Sequence, residues 1–268
     1  MIVTTLPSLL AVCAVVVSVV VGRRVAIRID PAIADAVYPA VIECVGAGIL
    51  CARAAFIATW WHSYRSDPLS MLRLTDGGFV AWAGVLGAVA IGVVHVARAP
   101  QLRTPLLAAF LSGPASFALA IGLLRAFGPA PLTVPNVAVT SLGGESTHLV
   151  AYLGRPMVLS VWATWCPPCR REMPLLLRAK LRHPDIAFAL VNQGEAAWEV
   201  ADYGRSLDAP EGTFLLDSGS AVSSSLGVRA LPATFFFDAE GNLVSTHVGE
   251  LSDAVLRQRL AVISIDKS

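Results

Sequence analysis

The chain has 268 residues, 55% of them hydrophobic and 15% charged, with a formal net charge of +1. Its positive mean hydropathy argues against a wholly soluble globule, and the near-zero charge gives no footing for a nucleic acid or a polybasic membrane patch. A disulfide scaffold is excluded in the polar half, because only Cys166 and Cys169 lie there, too close in sequence to staple a domain; Cys13, Cys44 and Cys51 fall in apolar segments.

Four apolar stretches come first, near residues 4–21, 37–60, 79–97 and 104–126. Each has about the 20 residues that a helix needs to cross a bilayer. No positive residue precedes the first, and Arg23, Arg24 and Arg28 follow it. A cleaved signal peptide has the reverse pattern, so the first stretch reads as a retained helix with its N-terminus outside. Arg98 and Arg103 mark the third connection, whereas Arg65 and Arg73 in the second are offset by Asp67 and Asp76. That bias puts the first and third connections in the cytoplasm and the C-terminal half on the outer face.

Inside the second stretch, Glu43 and Arg53 are either functional groups or side chains snorkelling from about two turns inside the span. Cys44 and Cys51, seven residues apart, share a helix face and read either as an electron relay or as small apolar filler. The run Gly48-Ile-Leu-Cys-Ala-Arg-Ala-Ala, then Asp67-Pro, then Asp76-Gly-Gly-Phe-Val-Ala-Trp-Ala-Gly-Val-Leu-Gly87, resembles the front part of a prolipoprotein diacylglyceryl transferase over about residues 35–97. In that family a functional His and two glycines follow the paired glycines; here Trp82, Ala83 and Gly84 stand there, and the later arginine-asparagine-glycine-glutamate motif has no counterpart. The resemblance therefore implies a transferase-like membrane module, residues 1–126, without the catalytic His. Arg53 matches the family's Ala-Arg element.

Residues 127–135 include three prolines and read as an extended linker. The remainder, 136–268, is the size of one domain. A hairpin is expected from Asn136–Leu142 and Thr147–Tyr152 around Gly143-Gly144. A buried strand Met157–Ala163 follows, then a helix Pro168–Arg182 kinked at Pro174. Next come strand Ile186–Asn192, helix Glu195–Leu207, strand Thr213–Leu216 and a helical turn Ala221–Leu226. Strand Thr234–Phe237, a turn at Asp238-Ala-Glu-Gly241, strand Asn242–Val248 and a helix from about Ser252 close the chain. Strands alternating with helices make this half a mixed α/β domain.

The chemistry lies where the buried strand ends, at Trp162-Ala-Thr-Trp-Cys-Pro-Pro-Cys-Arg-Arg-Glu-Met-Pro174. A helix start beside Cys166 offers unpaired N–H groups and the positive end of the helix dipole, which favour a thiolate, so Cys166 is the expected nucleophile. Cys169, about one turn on, is placed to resolve a mixed disulfide. A structural zinc site needs four ligands and c-type haem attachment a His at 170, where Arg stands; His183 and His247 are isolated. A copper(I) module remains the alternative of another class, thiolates being suitable ligands. The redox reading requires no organic cofactor and no metal.

With Gly227-Val-Arg-Ala-Leu-Pro-Ala-Thr-Phe-Phe-Phe-Asp-Ala-Glu-Gly241, the same run resembles the TlpA/ResA branch of thioredoxin-fold proteins over about residues 133–268. The resemblance implies a four- to five-stranded sheet with flanking helices, an extra N-terminal hairpin, and thiol-disulfide oxidoreductase activity outside the cytoplasm. It makes Pro232 a cis-proline that leaves the preceding backbone free for an extended substrate, an isomer that only X-Pro bonds adopt cheaply. Trp165 becomes part of the docking surface, and Trp162 a core residue. Thioredoxin has a buried Asp six residues before the first cysteine; here Ser160 stands there, and a hydroxyl is no base near neutral pH. Glu195 is the candidate replacement by topology, or an ordinary acid at a helix start. His148 and His247 read as surface or strand residues.

The expected protein is a membrane-anchored disulfide reductase in the bacterial inner membrane with its thioredoxin-like domain in the periplasm. Its partners by resemblance are protein disulfides, of apocytochrome c or copper-site proteins among them, a membrane electron donor of the DsbD type, and the bilayer. An oxidase or isomerase using the same pair is the alternative.

Overall fold

Asp30 sets the first reversal of the chain. Its carboxylate accepts the Ala32 N–H at 2.9 Å, and Pro31, with its φ already fixed, opens a 3-10 turn, Pro31–Ile33. This turn joins helix α1 (Ile2–Ile29) to α2 (Ala34–Thr59). A short α3 (Trp61–Tyr64), α4 (Ala81–Arg98), a second 3-10 turn Pro100–Leu102 and α5 (Arg103–Phe127) complete the first half. The structure is a computed structural model and describes residues 2–64, 78–127, 132–210 and 212–265. They form two compact units, helical within 2–127 and sheet-containing within 132–265.

Among the described residues, four helical segments are long and apolar enough to cross a bilayer: Leu9–Ile29, Pro31–Thr59, Ala81–Arg98 and Pro100–Leu124. They correspond to the four apolar stretches. Large apolar side chains such as Val12, Val16, Val85, Leu86, Leu107 and Leu111 point outward, as suits helices surrounded by lipid. Inside, α1 packs chiefly on α5 and α2 on α4. The α2–α4 contact is close because it is built on glycine: a Cβ at Gly48 would lie 3.0 Å from the Gly84 carbonyl oxygen, and one at Gly84 3.1 Å from that of Gly48. Pro39 and Pro114 lie inside α2 and α5 without ending them.

The suspect ionisable groups both have partners. Arg53 is 5% exposed, donates to the Gly78 carbonyl at 3.1 Å and lies 5.8–5.9 Å from the ring centres of Phe56, Tyr64 and Phe79. It is buried among aromatic faces, which corrects the snorkelling expectation. Glu43 Oε2 lies 3.0 Å from His95 Nε2, joining α2 to α4. Cys13, Cys44 and Cys51 are free thiols, and Trp82, at the position of the transferase His, is exposed. The second connection, with Arg65, Asp67, Arg73 and Asp76, lies outside the described residues, as do 128–131 of the proline-rich stretch.

The second unit is organised on β3 (Met157–Trp162), buried at every position. That is why its sequence reads as a continuous apolar run rather than an alternation. The other strands are β1 (Ala138–Ser141), β2 (Ser146–His148), β4 (Ala187–Gln193), β5 (Phe214–Asp217), β6 (Ala233–Phe237) and β7 (Leu243–Val248). They form one seven-stranded sheet in the order β2-β1-β5-β4-β3-β6-β7. β3, β4 and β5 run parallel, and β6 is antiparallel to β3. The expected sheet of four to five strands is thus extended: the N-terminal hairpin joins the edge of β5, with Thr140 opposite Leu216, instead of standing apart. Residues 132–134 also attach to the sheet, since Leu132 O accepts from Leu243 N and Val134 N donates to Gly241 O.

Helices α6 (Pro167–Arg182), α7 (Ala197–Ser206), α8 (Ala221–Ser225) and α9 (Asp253–Ile265) complete the unit. Helix α6 is continuous through Pro174. One side of the sheet buries Met157, Leu159, Val161, Ala189, Val191, Phe235 and Phe237. On the alternate positions Trp162 is fully buried, its ring centre 4.9 Å from Phe214 and 5.4 Å from Tyr203.

Candidate active site

The loop after β3 delivers Cys166 to the N-cap of α6, where it has extended backbone angles. Pro167 and Pro168 fill the first helical positions, which lack intrahelical N–H partners and so lose nothing by proline. The Cys166 sulfur accepts the Cys169 N–H at 3.3 Å. A helix N-terminus thereby spends one of its orphan donors on this sulfur, and the helix dipole acts in the same direction. The two sulfurs are bonded to each other, with the Cα atoms 5.3 Å apart. Cys166 keeps 3% exposure and Cys169 none, so the surface meets the pair through Cys166.

Beside the pair, Trp165 is 68% exposed, whereas Trp162 belongs to the core. The Leu231–Pro232 peptide is cis. Because Ala233 pairs with Val161 in antiparallel register, Pro232 falls opposite Trp162, at the end of the sheet that carries the cysteines. Its carbonyl oxygen accepts from Gly249 N at 2.8 Å, which anchors the entry to β6. His148 lies exposed in β2, and His247 is buried in β7 with Nε2 3.3 Å from the Glu250 carbonyl oxygen.

The Glu195 carboxylate is engaged by other donors. Its Oε2 accepts from the Thr164 N–H at 2.6 Å and from Asn192 Nδ2 at 2.5 Å, and Thr164 Oγ1 donates to Oε1. Three donors hold this carboxylate between the end of β4 and the loop before Trp165. It is a clasp that positions the cysteine loop. Helix α7 begins only at Ala197, so Glu195 is not an ordinary acid within a helix start.

The acid at the site is Glu172, which sequence reasoning missed. It is 1% exposed; Oε2 accepts the Leu251 N–H at 3.0 Å, and Oε1 has no hydrogen-bond partner. Burial pushes the carboxyl up to about 8; the Leu251 N–H opposes this, the charge of Glu250 adds to it, and the Ser160 hydroxyl opposes it. At neutral pH the group is therefore chiefly a neutral acid in this disulfide form. It stands three residues after Cys169, one turn along the buried face that continues through Met173 and Leu176. Ser160, at the position of thioredoxin's Asp, faces this carboxyl, so the buried acid comes from the helix and not from the strand. The helical spacing 169, 172, 173, 176 carried the signal: it puts position 172 on the apolar face.

Among the described residues no group of three or more His, Cys, Asp or Glu side chains is arranged to hold a metal ion.

Comparison with known proteins agrees with this geometry. The thiol-disulfide oxidoreductase ResA of Geobacillus thermodenitrificans is 30% identical over 135 residues, 49% of this chain and 76% of that protein. The chain belongs to the ResA family of thiol-disulfide oxidoreductases. The ResA-like part is the sheet-containing unit, for the Redoxin family model matches residues 130–260. The thiol:disulfide interchange protein DsbE of Yersinia pestis is 35% identical over 107 residues, 40% of this chain and 56% of that protein. A solved structure of MTB DsbF in mixed oxidised and reduced forms is 29% identical, covers 49% of this chain and 99% of its own, and has a TM-score of 0.44. The family model of prolipoprotein diacylglyceryl transferase matches residues 6–127, a longer stretch than the 35–97 whose motifs carry the resemblance.

Proposed function

We propose that this ResA-family protein is a membrane-anchored disulfide reductase acting on the outer, periplasmic side of a bacterial inner membrane. The observation that carries the reading is the arrangement of Cys166 at the helix N-terminus, its sulfur on an amide N–H, with the buried Glu172 one turn beyond Cys169. The four apolar helices and the transferase-family match to 6–127 support anchoring. Arg23, Arg24, Arg28, Arg98 and Arg103 at the first and third connections support the outward placement of the second unit.

In the reducing direction, the Cys166 thiolate attacks one sulfur of a protein disulfide and the other sulfur leaves as thiolate. Cys169 then gives its proton to the Glu172 carboxylate, directly or through one water, and attacks the Cys166 sulfur, releasing the second substrate thiolate. Two electrons pass to the substrate. The pair ends as the disulfide with Glu172 protonated, which is the state in which burial favours the neutral acid. A membrane dithiol donor of the DsbD type reverses these steps, Glu172 returning its proton to the departing Cys169 thiolate. Pro232 and Trp165 border the place where the substrate backbone lies. Apocytochrome c and copper-site proteins are the substrate classes that this reading favours.

The test is the reduction potential of the full chain in detergent, poised against thiol buffers and read by thiol trapping. A potential near or below about −220 mV supports a reductase, and one near about −120 mV replaces it with an oxidase.

A further inference from the structure

At the end of the sheet-containing unit remote from the cysteine pair lies a polar concavity. It holds about 310 Å³ and is lined by Tyr152, Arg155, Lys180, Phe188, Gly212 and Thr213 among others. Arg155 stands in the turn before β3, and Lys180 in the last turn of α6. Cys166 lies beyond the other end of β3 and at the first turn of α6. At about 1.5 Å per residue, the 14 residues from Cys166 to Lys180 put the recess roughly 20 Å from the redox pair.

Among the described residues the recess is cationic; Glu211, next to Gly212, lies outside them. Among the described residues its lining includes no carboxylate, and neither Arg155 nor Lys180 takes part in an ion pair. A helix C-terminus accounts for a lysine in the last turn. It does not account for the second cation, carried onto it by a different element. Burial, and then the positive charge of Arg155, pull the Lys180 ammonium below the usual lysine range. Two like charges sharing a half-buried recess repel each other, and an anion placed between them relieves both. Arginine offers a planar fork and lysine a point charge, a combination suited to a tetrahedral oxyanion. The Tyr152 hydroxyl adds a donor at the same wall.

We propose that Tyr152, Arg155 and Lys180 form a binding site for a phosphate-class anion at the end of the sheet remote from the cysteines. The volume leaves room for a phosphoester as well as for bare phosphate. The anion is either a free phosphate or phosphoester or the headgroup of a phospholipid. The site is separate from the disulfide exchange and does not depend on the direction of that reaction.

The test uses the oxidised full chain in dodecyl maltoside, with inorganic phosphate added at constant ionic strength and binding followed by calorimetry. Saturable one-to-one binding is expected, weakened about tenfold or more by Arg155→Gln and by Lys180→Gln, the scale of one lost charged contact. Lys180→Arg should retain binding, and Arg178→Gln, on the same helix but outside the recess, should leave it unchanged. Repeating the titration with glycerol phosphate, and in nanodiscs of phosphatidylglycerol, separates the sources. Competition by the nanodisc lipid identifies the headgroup; undiminished phosphate binding there identifies the free anion. No saturation by about 50 mM phosphate, or equal weakening by Arg178→Gln, overturns the proposal. Arg155 is exposed, so its variant keeps the test valid even where a Lys180 variant does not fold.

Discussion

Replacing Glu172 by Gln should change how the stability of the oxidised protein depends on pH. The carboxyl has a reference value of 4.5 and is raised to about 8 in the fold. A raised acid binds its proton more tightly folded than unfolded, so folding is favoured most below pH 4.5, and that contribution is lost as pH rises through about 8. At about 1.36 kcal/mol per pH unit, the loss is roughly 3 kcal/mol by pH 7 and a little over about 4 by pH 8. The amide introduced by Glu172→Gln keeps an acceptor for the Leu251 N–H and does not titrate. Its stability curve should therefore lack this slope, and the variant should overtake the parent on the alkaline side. The assay is guanidinium unfolding of the oxidised full chain between pH 4.5 and 8.5, followed by the fluorescence of buried Trp162. Parallel curves for the two proteins across that range would refute the assignment of a buried, neutral acid at this position. In the reduced protein the same substitution removes the proton acceptor for Cys169, and mixed-disulfide resolution at neutral pH should slow by about 10²-fold or more.

Cys169→Ser should accumulate covalent adducts with partner proteins through Cys166, whereas Cys166→Ser should form none; non-reducing electrophoresis of membranes from cells carrying each variant reads this, and adducts formed equally by both would contradict the assigned order of attack. Glu195→Gln presents an amide donor toward the Thr164 and Asn192 donors and should cost about 1–3 kcal/mol, the penalty of breaking charged hydrogen bonds to a part-buried group; an unchanged unfolding midpoint would show that the clasp contributes nothing. In the helical unit, Gly84→Ala meets the Gly48 carbonyl at 3.1 Å and the Ala52 methyl at 3.2 Å and should lower the melting temperature. A methyl at Gly46 meets nothing within 4 Å, so Gly46→Ala should be neutral or stabilising by up to about 1 kcal/mol; equal effects of the two would count against close α2–α4 packing.

Most of the architecture was legible because it rests on signals that act within one element. Four apolar stretches of bilayer length became four long helices, and the run Met157–Trp162, with no polar alternation, became the strand buried on both faces. The turn at Asp238–Gly241 was readable for an equally local reason: the Asp238 carboxylate accepts from Asn242, and Gly241 takes a positive φ of 87°. What stayed hidden depends on pairing between distant segments. Nothing within the hairpin sequence says that it will complete the edge of β5, and nothing near Arg53 says that three aromatic rings from α2, α3 and the chain before α4 will enclose it.

The active-site acid falls between these cases. The resemblance to thioredoxin points to position 160, where Ser stands, and by topology to Glu195, whose carboxylate holds Thr164 and Asn192. Yet the need for a proton acceptor is set by the buried Cys169 thiol, not by the strand. Any element passing that sulfur can supply the carboxyl, and the nearest is the helix that carries Cys169 itself. Its amphipathic spacing places 172 on the same buried face as 169, 173 and 176, where an acid has no structural reason to be. A charged residue type at a core position of a helix that begins at a redox cysteine is thus a functional signal readable from sequence alone. In the proposed mechanism the motif is Cys-Pro-Pro-Cys-Arg-Arg-Glu, and its last residue takes the proton that its second cysteine gives up.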